Sequence, residues 1–301
     1  AHLYDVVHDN QTLCWGLLKV RDLGLPVAGT IHHPITRDRD IAIAHARSLW
    51  MKLLIRRWHS FVNMQKKVAQ RLDPVIVVSE STKRDVVTEF GVDPARMRVV
   101  LHGINTRDFH PEPGIVRKTN RIMAVASADV ALKGLIYLIR AYAKLVKERP
   151  DLELLVVSKL REGNTSRELD ELGLRDKVKF VSGITLAEMR AYYAEATIAV
   201  SPSVYEGFGF PAGEAMACGV PVVSTNGGSL PEVVGDAGVI VPVRDADALA
   251  AAIGDLLDNP EKRANIGAAG YRRIQEKFLW TRAAADAVAV YKEAIAKHYG
   301  M

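Results

Sequence analysis

Two carboxylates stand on either side of a glycine-rich turn in the segment Glu206–Glu214, which reads EGFGFPAGE. Seven residues separate the two carboxylates, and three of those seven are glycines. Glycine allows a ligand to approach the backbone closely. Apolar runs precede and follow the segment, so its pattern predicts a strand, a glycine loop, a helix and a second strand. The N–H groups and the positive helix end in such a loop would face an anion, typically a phosphate.

Two further positions combine reactive side chains with the ends of predicted strands. Lys133 follows the predicted strand Ile122–Val125 and opens a helical pattern, where an ammonium could reach a diphosphate. A solvated lysine in the first helical turn is the alternative, but the helix dipole disfavours it there. His32 and His33 end the predicted strand Val27–Ile31, and ligands bind at the carboxyl ends of parallel strands.

The segment Glu206–Glu214 resembles the Glu-x7-Glu motif of retaining glycosyltransferases of family 4, which have the GT-B fold. The resemblance covers essentially the whole chain. It implies that Glu206 acts in catalysis by contacting hydroxyls of the donor sugar, and that Glu214 binds the ribose of the nucleotide. The backbone between the two would face the sugar and the diphosphate, with donor-binding positions at Gly207, Phe208, Gly209 and Phe210.

Other parts of the chain match the same family less completely. Thr30 and His32 match a Thr-x-His pattern, which implies that His32 meets the donor sugar near the reacting carbon. Lys133 matches the family's pyrophosphate lysine, but the arginine that accompanies it there is missing, and Ser127 or Ala128 stands in its place. The phosphate clamp is therefore either weaker or completed by another cation.

Two more matches concern loops beside the expected nucleotide. Gly183 ends the segment Phe180–Gly183, which resembles the strand end beside the nucleobase, so we expect backbone contact there. The segment Val99–Asn105 resembles a strand followed by Asn-Gly-Val-Asp, with His102 in place of the asparagine. This segment is interpreted as a turn at the edge of the cleft. Ser229 and Glu232 have the spacing of a capping box.

Short β-branched runs alternate with helical patterns along the chain, which predicts parallel sheets covered by helices on both faces. The predicted strands are Val27–Ile31, Val75–Val78, Val99–Leu101, Ile122–Val125, Leu152–Val157, Val178–Val181, Ile198–Ser201 and Val220–Val223. The fold class is therefore α/β, and the resemblance specifies GT-B: two Rossmann-like domains with a cleft between them. The predicted domains are an acceptor-side domain over 1–113, a nucleotide-sugar-binding domain over 114–278 and a helix over 279–301 that returns to the first. We expect the N-terminal domain to be incomplete, lacking about the first quarter of a typical member.

Composition excludes several classes of protein. Of the 301 residues, 49% are hydrophobic and 25% charged, as in ordinary soluble domains, and the net charge of +5 hints at an anionic partner. Two cysteines give neither a disulfide framework nor metal spacing, and no apolar run approaches the roughly 18 residues of a membrane span. We expect a cytoplasmic protein without cofactor or bound metal. Asp38 and Asp40 form an Asp-x-Asp pair, for which a solvated loop is favoured over a metal site.

The segment 47–71 carries seven basic residues and no acidic one, interleaved with tryptophan, leucine and methionine. Two interpretations stay open. The segment could be a helix that packs its apolar face on the sheet and shows a basic face to water. Alternatively, it could be a helix that lies on an anionic lipid surface, which would make the protein peripheral on the inner face of a membrane. Nucleic acid is disfavoured because no recognition motif accompanies the charge.

Together these features predict a retaining, metal-independent glycosyltransferase. It would move a sugar from a UDP- or GDP-linked donor to an acceptor hydroxyl on a glycan or lipid. Two alternatives are kept: a nucleotide-sugar epimerase on the same fold, and a non-catalytic protein that binds nucleotide sugars or serves as a scaffold.

Overall fold

The protein is described from a computed structural model, which covers residues 3–46, 48–127 and 130–300. The chain divides into two compact units. The first takes in the chain up to Gly103 and again from Trp280, and the second runs from Ile104 to Leu279.

The first unit is built on a parallel sheet with the strand order β1-β2-β3-β4. The strands are β1 (Val7–Asn10), β2 (Val27–Ile31), β3 (Val75–Val77) and β4 (Met97–Val99). The helices are α1 (Trp15–Asp22), α2 (Ile35–His45), α3 (Leu49–Trp58), α4 (Val62–Ala69), α5 (Glu80–Phe90) and, from the end of the chain, α13 (Trp280–Tyr299). Its core holds Leu72, Val86 and Phe90, which are buried beside the apolar residues of β2 and β3.

The second unit is built on a parallel sheet with the order β10-β9-β8-β5-β6-β7. The strands are β5 (Arg121–Val125), β6 (Glu153–Val157), β7 (Val178–Val181), β8 (Ile198–Ser201), β9 (Val222–Thr225) and β10 (Val239–Val241). The helices are α6 (Leu135–Glu148), α7 (Asn164–Glu171), α8 (Leu186–Glu195), α9 (Phe210–Ala217), α10 (Leu230–Val234), α11 (Ala246–Asp258) and α12 (Pro260–Lys277). Two parallel sheets in an α/β chain confirm the predicted fold class.

Three of the strand predictions have the observed bounds at both ends. β2, β7 and β8 have the predicted bounds. β9 begins two residues later than predicted because Pro221 lacks an N–H, and its carbonyl instead accepts from Ala199 at 2.9 Å. β4 begins two residues earlier, because its pairing with β3 starts at Met97 and continues through the polar Arg98.

The predicted loop around Asp38 and Asp40 is wrong, because both residues lie in α2. The predicted capping box at Ser229 is wrong as well, since its side chain makes no capping hydrogen bond. The hydroxyl of Ser229 donates to the carbonyl of Glu206 at 3.1 Å instead. A capping box does occur at Thr185, whose side chain accepts from the N–H of Glu188.

Gly134 marks a close approach between two loops of the second unit. Its φ is +63°, and a Cβ at this position would lie 2.0 Å from the carbonyl oxygen of Pro202. A side chain cannot be placed there unless one of the two backbones moves. The loop after β5 therefore rests directly on the loop after β8.

We expect Gly134→Ala to lower the free energy of unfolding by more than about 3 kcal/mol, since it adds a backbone clash to the left-handed strain. Gly173→Ala is the matched control, because Gly173 has a φ of +64° with no atom within 4 Å of a Cβ. The control should lose only about 1 kcal/mol. Scanning calorimetry of both variants measures the difference, and equal shifts in Tm would contradict the close approach.

Candidate functional site

The strand order of the second sheet places its switch point between β5 and β8. Strands β6 and β7 continue on one side of β5, and β8 to β10 continue on the other. Ligands of open parallel sheets bind outside the carboxyl ends of the strands at such a point. The chain that leaves β5 carries Lys133, and the chain that leaves β8 carries Glu206. These two predicted donor-binding residues therefore flank the position where the topology favours a ligand.

Lys133 and Glu206 form an ion pair. Nζ of Lys133 donates to Oε1 of Glu206 at 2.7 Å, and Oγ of Ser203 donates to the same oxygen at 2.8 Å. The Glu206 side chain is 12% exposed and that of Lys133 33% exposed. Charge-assisted bonds of this kind orient both groups. An ammonium that suits a phosphate and a carboxylate that suits sugar hydroxyls thus lie side by side.

The backbone around Glu206 is held by its neighbours. The N–H of Val204 donates to the carbonyl of Leu132 at 2.7 Å, which joins the two loops that carry the ion pair. On the other side, the carbonyl of Glu206 accepts from the N–H of Ser229 at 3.0 Å. A Cβ at Gly228 would lie 2.2 Å from this carbonyl oxygen. The glycines after β9 therefore let a third loop pack against the Glu206 backbone.

Helix α9 begins directly after the glycine turn. Gly209 has a φ of +103°, and a Cβ there would lie 2.7 Å from Cδ2 of Leu230. The Phe208 ring is buried, 5.8 Å from the ring of Phe278 between centroids, while Phe210 is partly exposed. The side chain of Phe208 therefore anchors the loop in the core.

Glu214 lies in α9 and is partly buried. Burial raises the pKa of its carboxyl group, and a hydrogen bond from the hydroxyl of Tyr193 at 3.2 Å opposes that rise. Tyr193 is itself buried in full, which raises the pKa of the phenol well above its usual range, so the phenol stays a donor. The carboxylate is thereby oriented by a neutral donor and remains able to accept from the paired hydroxyls of a ribose.

The remaining predicted donor-binding residues occupy the same edge of the sheet. Ser127 is exposed just after β5, and Ala128 lies outside the described residues. Gly183 follows β7 with a φ of +67° and no atom within 4 Å of a Cβ, so its backbone is accessible. Gly207 lies between Glu206 and the buried Phe208.

His32, predicted to act in catalysis, belongs to the first unit and follows β2. Its Nε2 lies 2.6 Å from Oδ1 of Asn10, and its Nδ1 lies 3.1 Å from Nε2 of His102. Burial, followed by the nearby His33 and His8, lowers the pKa of His32. The ring is therefore neutral near pH 7 and offers one N–H.

The other polar residues near His32 form local pairs. His33 contacts Asp38 through Nε2 and Oδ2 at 2.6 Å, and Asp40 pairs with Arg39 at 2.8 Å. Among the residues that the structure describes, no group of three or more histidine, cysteine or acidic side chains could hold a metal ion.

Sequence reasoning missed three polar residues that orient the site. Ser203 bonds to Glu206, Tyr193 bonds to Glu214, and Gln11 accepts from the N–H of His32 at 2.5 Å. Tyr193 and Gln11 are about 20 residues away from the groups that they orient, so spacing carries no signal for them. Ser203 lies three residues before Glu206 in one loop, and this short spacing was the one available signal.

The described part of the segment 47–71 forms two helices in the first unit, α3 and α4, which are separated by a short 3-10 helix over His59–Phe61. None of the ten side chains of α3 is buried. Leu49, Trp50 and Trp58 are 80%, 68% and 78% exposed, respectively. Helix α4, which follows, buries Val62 and Val68. The interpretation of the segment as a helix with a packed apolar face therefore fits α4, whose Val62 and Val68 lie in the core of the first unit, and is wrong for α3. Within the described part of the chain, no helix combines the length and the apolar character needed to cross a membrane.

Comparison with known families assigns both parts of the chain. Residues 106–273, more than half of the chain, match the family described as Glycosyl transferases group 1. Residues 1–108 match Glycosyltransferase Family 4. These matches confirm the resemblance inferred from the Glu-x7-Glu segment.

Individual relatives agree with the family matches. The chain is 47% identical to an MMP alpha-(1->4)-mannosyltransferase of Mycolicibacterium hassiacum over 98% of this chain and 72% of that protein. It is 30% identical to a GDP-mannose-dependent alpha-(1-6)-phosphatidylinositol monomannoside mannosyltransferase of Mycolicibacterium smegmatis, over 91% of this chain and 74% of that protein. Among solved structures, the sucrose-phosphate synthase of Thermosynechococcus elongatus superposes with a TM-score of 0.78 at 26% identity, covering 98% of this chain and 74% of that one.

We expect Tyr193→Phe to raise the pKa of Glu214 further, because the lost hydroxyl stabilises the carboxylate and not the neutral acid. A carbon-13 NMR titration of glutamate carboxyl groups measures this pKa. Tyr142→Phe is the control, since the hydroxyl of Tyr142 is buried but donates to the carbonyl of Leu152. An unchanged or lower pKa of Glu214 in Tyr193→Phe would contradict the assigned hydrogen bond.

Proposed function

The chain belongs to the glycosyl transferases of group 1, and on that premise we propose that it moves a sugar from a nucleotide-sugar donor to an acceptor hydroxyl. The observation that carries the proposal is the ion pair of Lys133 and Glu206 at the switch point of the second sheet. Glu214, eight positions further on, adds a second carboxylate from the adjoining helix.

Each group has a role in this proposal. Lys133 holds the diphosphate, Glu206 accepts bonds from the sugar hydroxyls, and Glu214 accepts bonds from the ribose. Charge develops on the leaving diphosphate during transfer, and the ammonium of Lys133 together with the N-terminal end of α9 stabilises it. This arrangement supports transfer without a metal ion. We propose that the configuration is retained, with the leaving phosphate helping to deprotonate the acceptor on the same face of the sugar.

We propose GDP-mannose as the donor. Two relatives of the chain are named mannosyltransferases, and one of them is named as dependent on GDP-mannose. The acceptor would be a glycan or a mannosylated lipid. The lipid is supported by the name of the Mycolicibacterium smegmatis relative, which specifies a phosphatidylinositol monomannoside. UDP-sugars are the alternative donors to be tested beside it.

Three substitutions separate the roles of the donor-binding groups. Glu214→Gln should weaken binding of both GDP and GDP-mannose by about 1.5–3 kcal/mol, the value of one charge-assisted hydrogen bond. Glu206→Gln should slow turnover and leave GDP affinity nearly intact. Lys133→Ala should weaken GDP much more than GMP, since its ammonium serves the second phosphate. Isothermal calorimetry measures all three, with Glu171→Gln as an exposed acidic control.

The same preparation tests the reaction itself. Proton NMR of the product should show the anomeric configuration of the donor, and EDTA should leave the rate unchanged. If Glu206→Gln weakens GDP while Glu214→Gln does not, the two carboxylates have been assigned the wrong way round. Conversion of the donor without any acceptor would favour an epimerase, and binding without turnover across a panel of acceptors would favour the scaffold.

We propose in addition that α3 and the exposed face of α4 contact an anionic lipid surface. The support is the exposure of Leu49, Trp50 and Trp58 combined with seven basic residues and no acidic ones over 47–71. Tryptophan rings suit the depth of lipid headgroups, and each basic residue near an anionic surface contributes about 1 kcal/mol. Such contact would place the enzyme beside a lipid-linked acceptor.

Sedimentation with phosphatidylglycerol vesicles tests this contact. We expect binding that weakens as salt rises and that is lost when the exposed Arg56, Arg57 and Lys67 are changed to glutamate. Changing the exposed Arg161, Lys179 and Lys277 in the second unit to glutamate gives a control with the same change in net charge. If both triple variants lose binding equally, attraction is general and not local to α3. The lipid proposal is wrong if the parent protein does not bind the vesicles and α3 instead mediates self-association in solution.

A further inference from the structure

A second histidine ring is joined to His32 within the first unit. His32 follows β2 and His102 follows β4, with β3 between them in the sheet. Nδ1 of His32 lies 3.1 Å from Nε2 of His102, and the two rings are inclined by only 23° with centroids 5.1 Å apart. A short distance between ring nitrogens with nearly parallel planes is the geometry of a hydrogen bond between rings. One nitrogen must donate and the other must accept.

The direction of this hydrogen bond follows from the third partner. Oδ1 of Asn10 lies 2.6 Å from Nε2 of His32, and an amide oxygen can only accept. Nε2 of His32 therefore carries the ring hydrogen. A neutral imidazole has one N–H, so Nδ1 of His32 must accept, and the donor is Nε2–H of His102.

Both rings are neutral at pH 7, and the assigned direction of the hydrogen bond depends on a neutral His32. Burial lowers the pKa of His102 to about 4, with the nearby His32 adding to the effect. Burial also lowers the pKa of His32, together with His33 and His8. A charged His32 would carry a hydrogen on Nδ1 as well and could not accept there, so the assigned direction requires His32 to be neutral.

The backbone of His32 is held independently of its ring. Gln11, in the left-handed region with a φ of +64°, accepts from the N–H of His32 at 2.5 Å and donates to the carbonyl of His33 at 3.0 Å. The hydroxyl of Thr82 donates to the carbonyl of His32 at 3.1 Å. A non-glycine residue in this region is uncommon and strained. With the backbone fixed in this way, the ring partners decide which nitrogen carries the hydrogen.

We propose that His102 is a positioning residue that holds His32 in the Nε2–H tautomer, so that His32 meets its ligand as a hydrogen-bond donor and not as a base. That the ligand is a sugar oxygen rests on the proposed function. The ligand oxygen would take the place of Oδ1 of Asn10 as acceptor. The tautomer itself is a property of the protein alone and can be measured without any donor.

Nitrogen-15 NMR of histidine-labelled protein tests the tautomer. In the parent protein, Nε2 of His32 should show the pyrrole-type shift and Nδ1 the pyridine-type shift across neutral pH. His102→Leu removes the ring donor and should raise the fraction of the Nδ1–H tautomer, because only Asn10 then favours the Nε2–H form. His102→Gln places an amide N–H near the position of Nε2 and should restore the parent pattern. His45→Leu is the control, because His45 contacts the carbonyl of Ile41 on an exposed face of α2.

Turnover of GDP-mannose then tests the consequence for the reaction. His102→Leu should lower kcat/KM about tenfold, the effect of one ordinary hydrogen bond, and His102→Gln should recover most of that loss. A parent spectrum with the hydrogen on Nδ1 of His32 overturns the proposal even if His102→Leu fails to fold. The predicted tautomer shift without any change in turnover overturns the role in positioning. A parent protein that shows the tautomer but no turnover of GDP-mannose would count against the proposed donor and leave the tautomer assignment intact.

Discussion

The contact between the loop after β5 and the loop after β8 is the constraint on which the candidate site depends. The N–H of Val204 in one loop donates to the carbonyl of Leu132 in the other. In addition, Gly134 lies so close to the carbonyl of Pro202 that no side chain fits between them. Without that approach, Lys133 and Glu206 would be two separate solvated charges. With it, they share one hydrogen bond at the switch point of the sheet.

Stability alone does not account for this pair. Ion pairs that remain partly in water contribute about 0–1 kcal/mol, and a carboxylate as little exposed as Glu206 loses hydration when the chain folds. The surrounding glycines also lose more conformational entropy than other residues. The pair stabilises the fold little, yet it orients an ammonium and a carboxylate on neighbouring loops. This combination agrees with the proposal that a ligand uses both groups.

The two units present different chemistry. The second unit offers charged groups. Lys133 pairs with Glu206, and Glu214 accepts a hydrogen bond from Tyr193 while burial raises the pKa of its carboxyl group. The first unit offers neutral imidazoles, because burial lowers the pKa of both His32 and His102. Charged groups suit the phosphates and the strongly hydrogen-bonded hydroxyls of a nucleotide sugar, whereas a neutral ring can donate to an oxygen without adding charge.

Much of the fold could be predicted because apolar strands bounded by turns have a local signal, and β2, β7 and β8 were located to the residue. Strand β1 was missed because three of its four residues, His8, Asp9 and Asn10, are polar. It is a strand because its backbone pairs with β2. Strand β10, which has three residues, was also missed.

By itself, the sequence determined the α/β class, the family, the lysine after β5 and the two carboxylates with seven residues between them. Each of these is recognised from residues that are close together in the chain. Only the tertiary structure decided which groups touch. Lys133 and Glu206 are 73 positions apart and His32 and His102 are 70 apart, so neither pair has a local signal. The exposure of α3 was likewise undecided by its composition, since the same mixture of tryptophan, leucine and arginine fits a packed or an open helix. Contacts between distant residues depend on the order of strands in the sheet, and that order emerges only when the whole chain is folded.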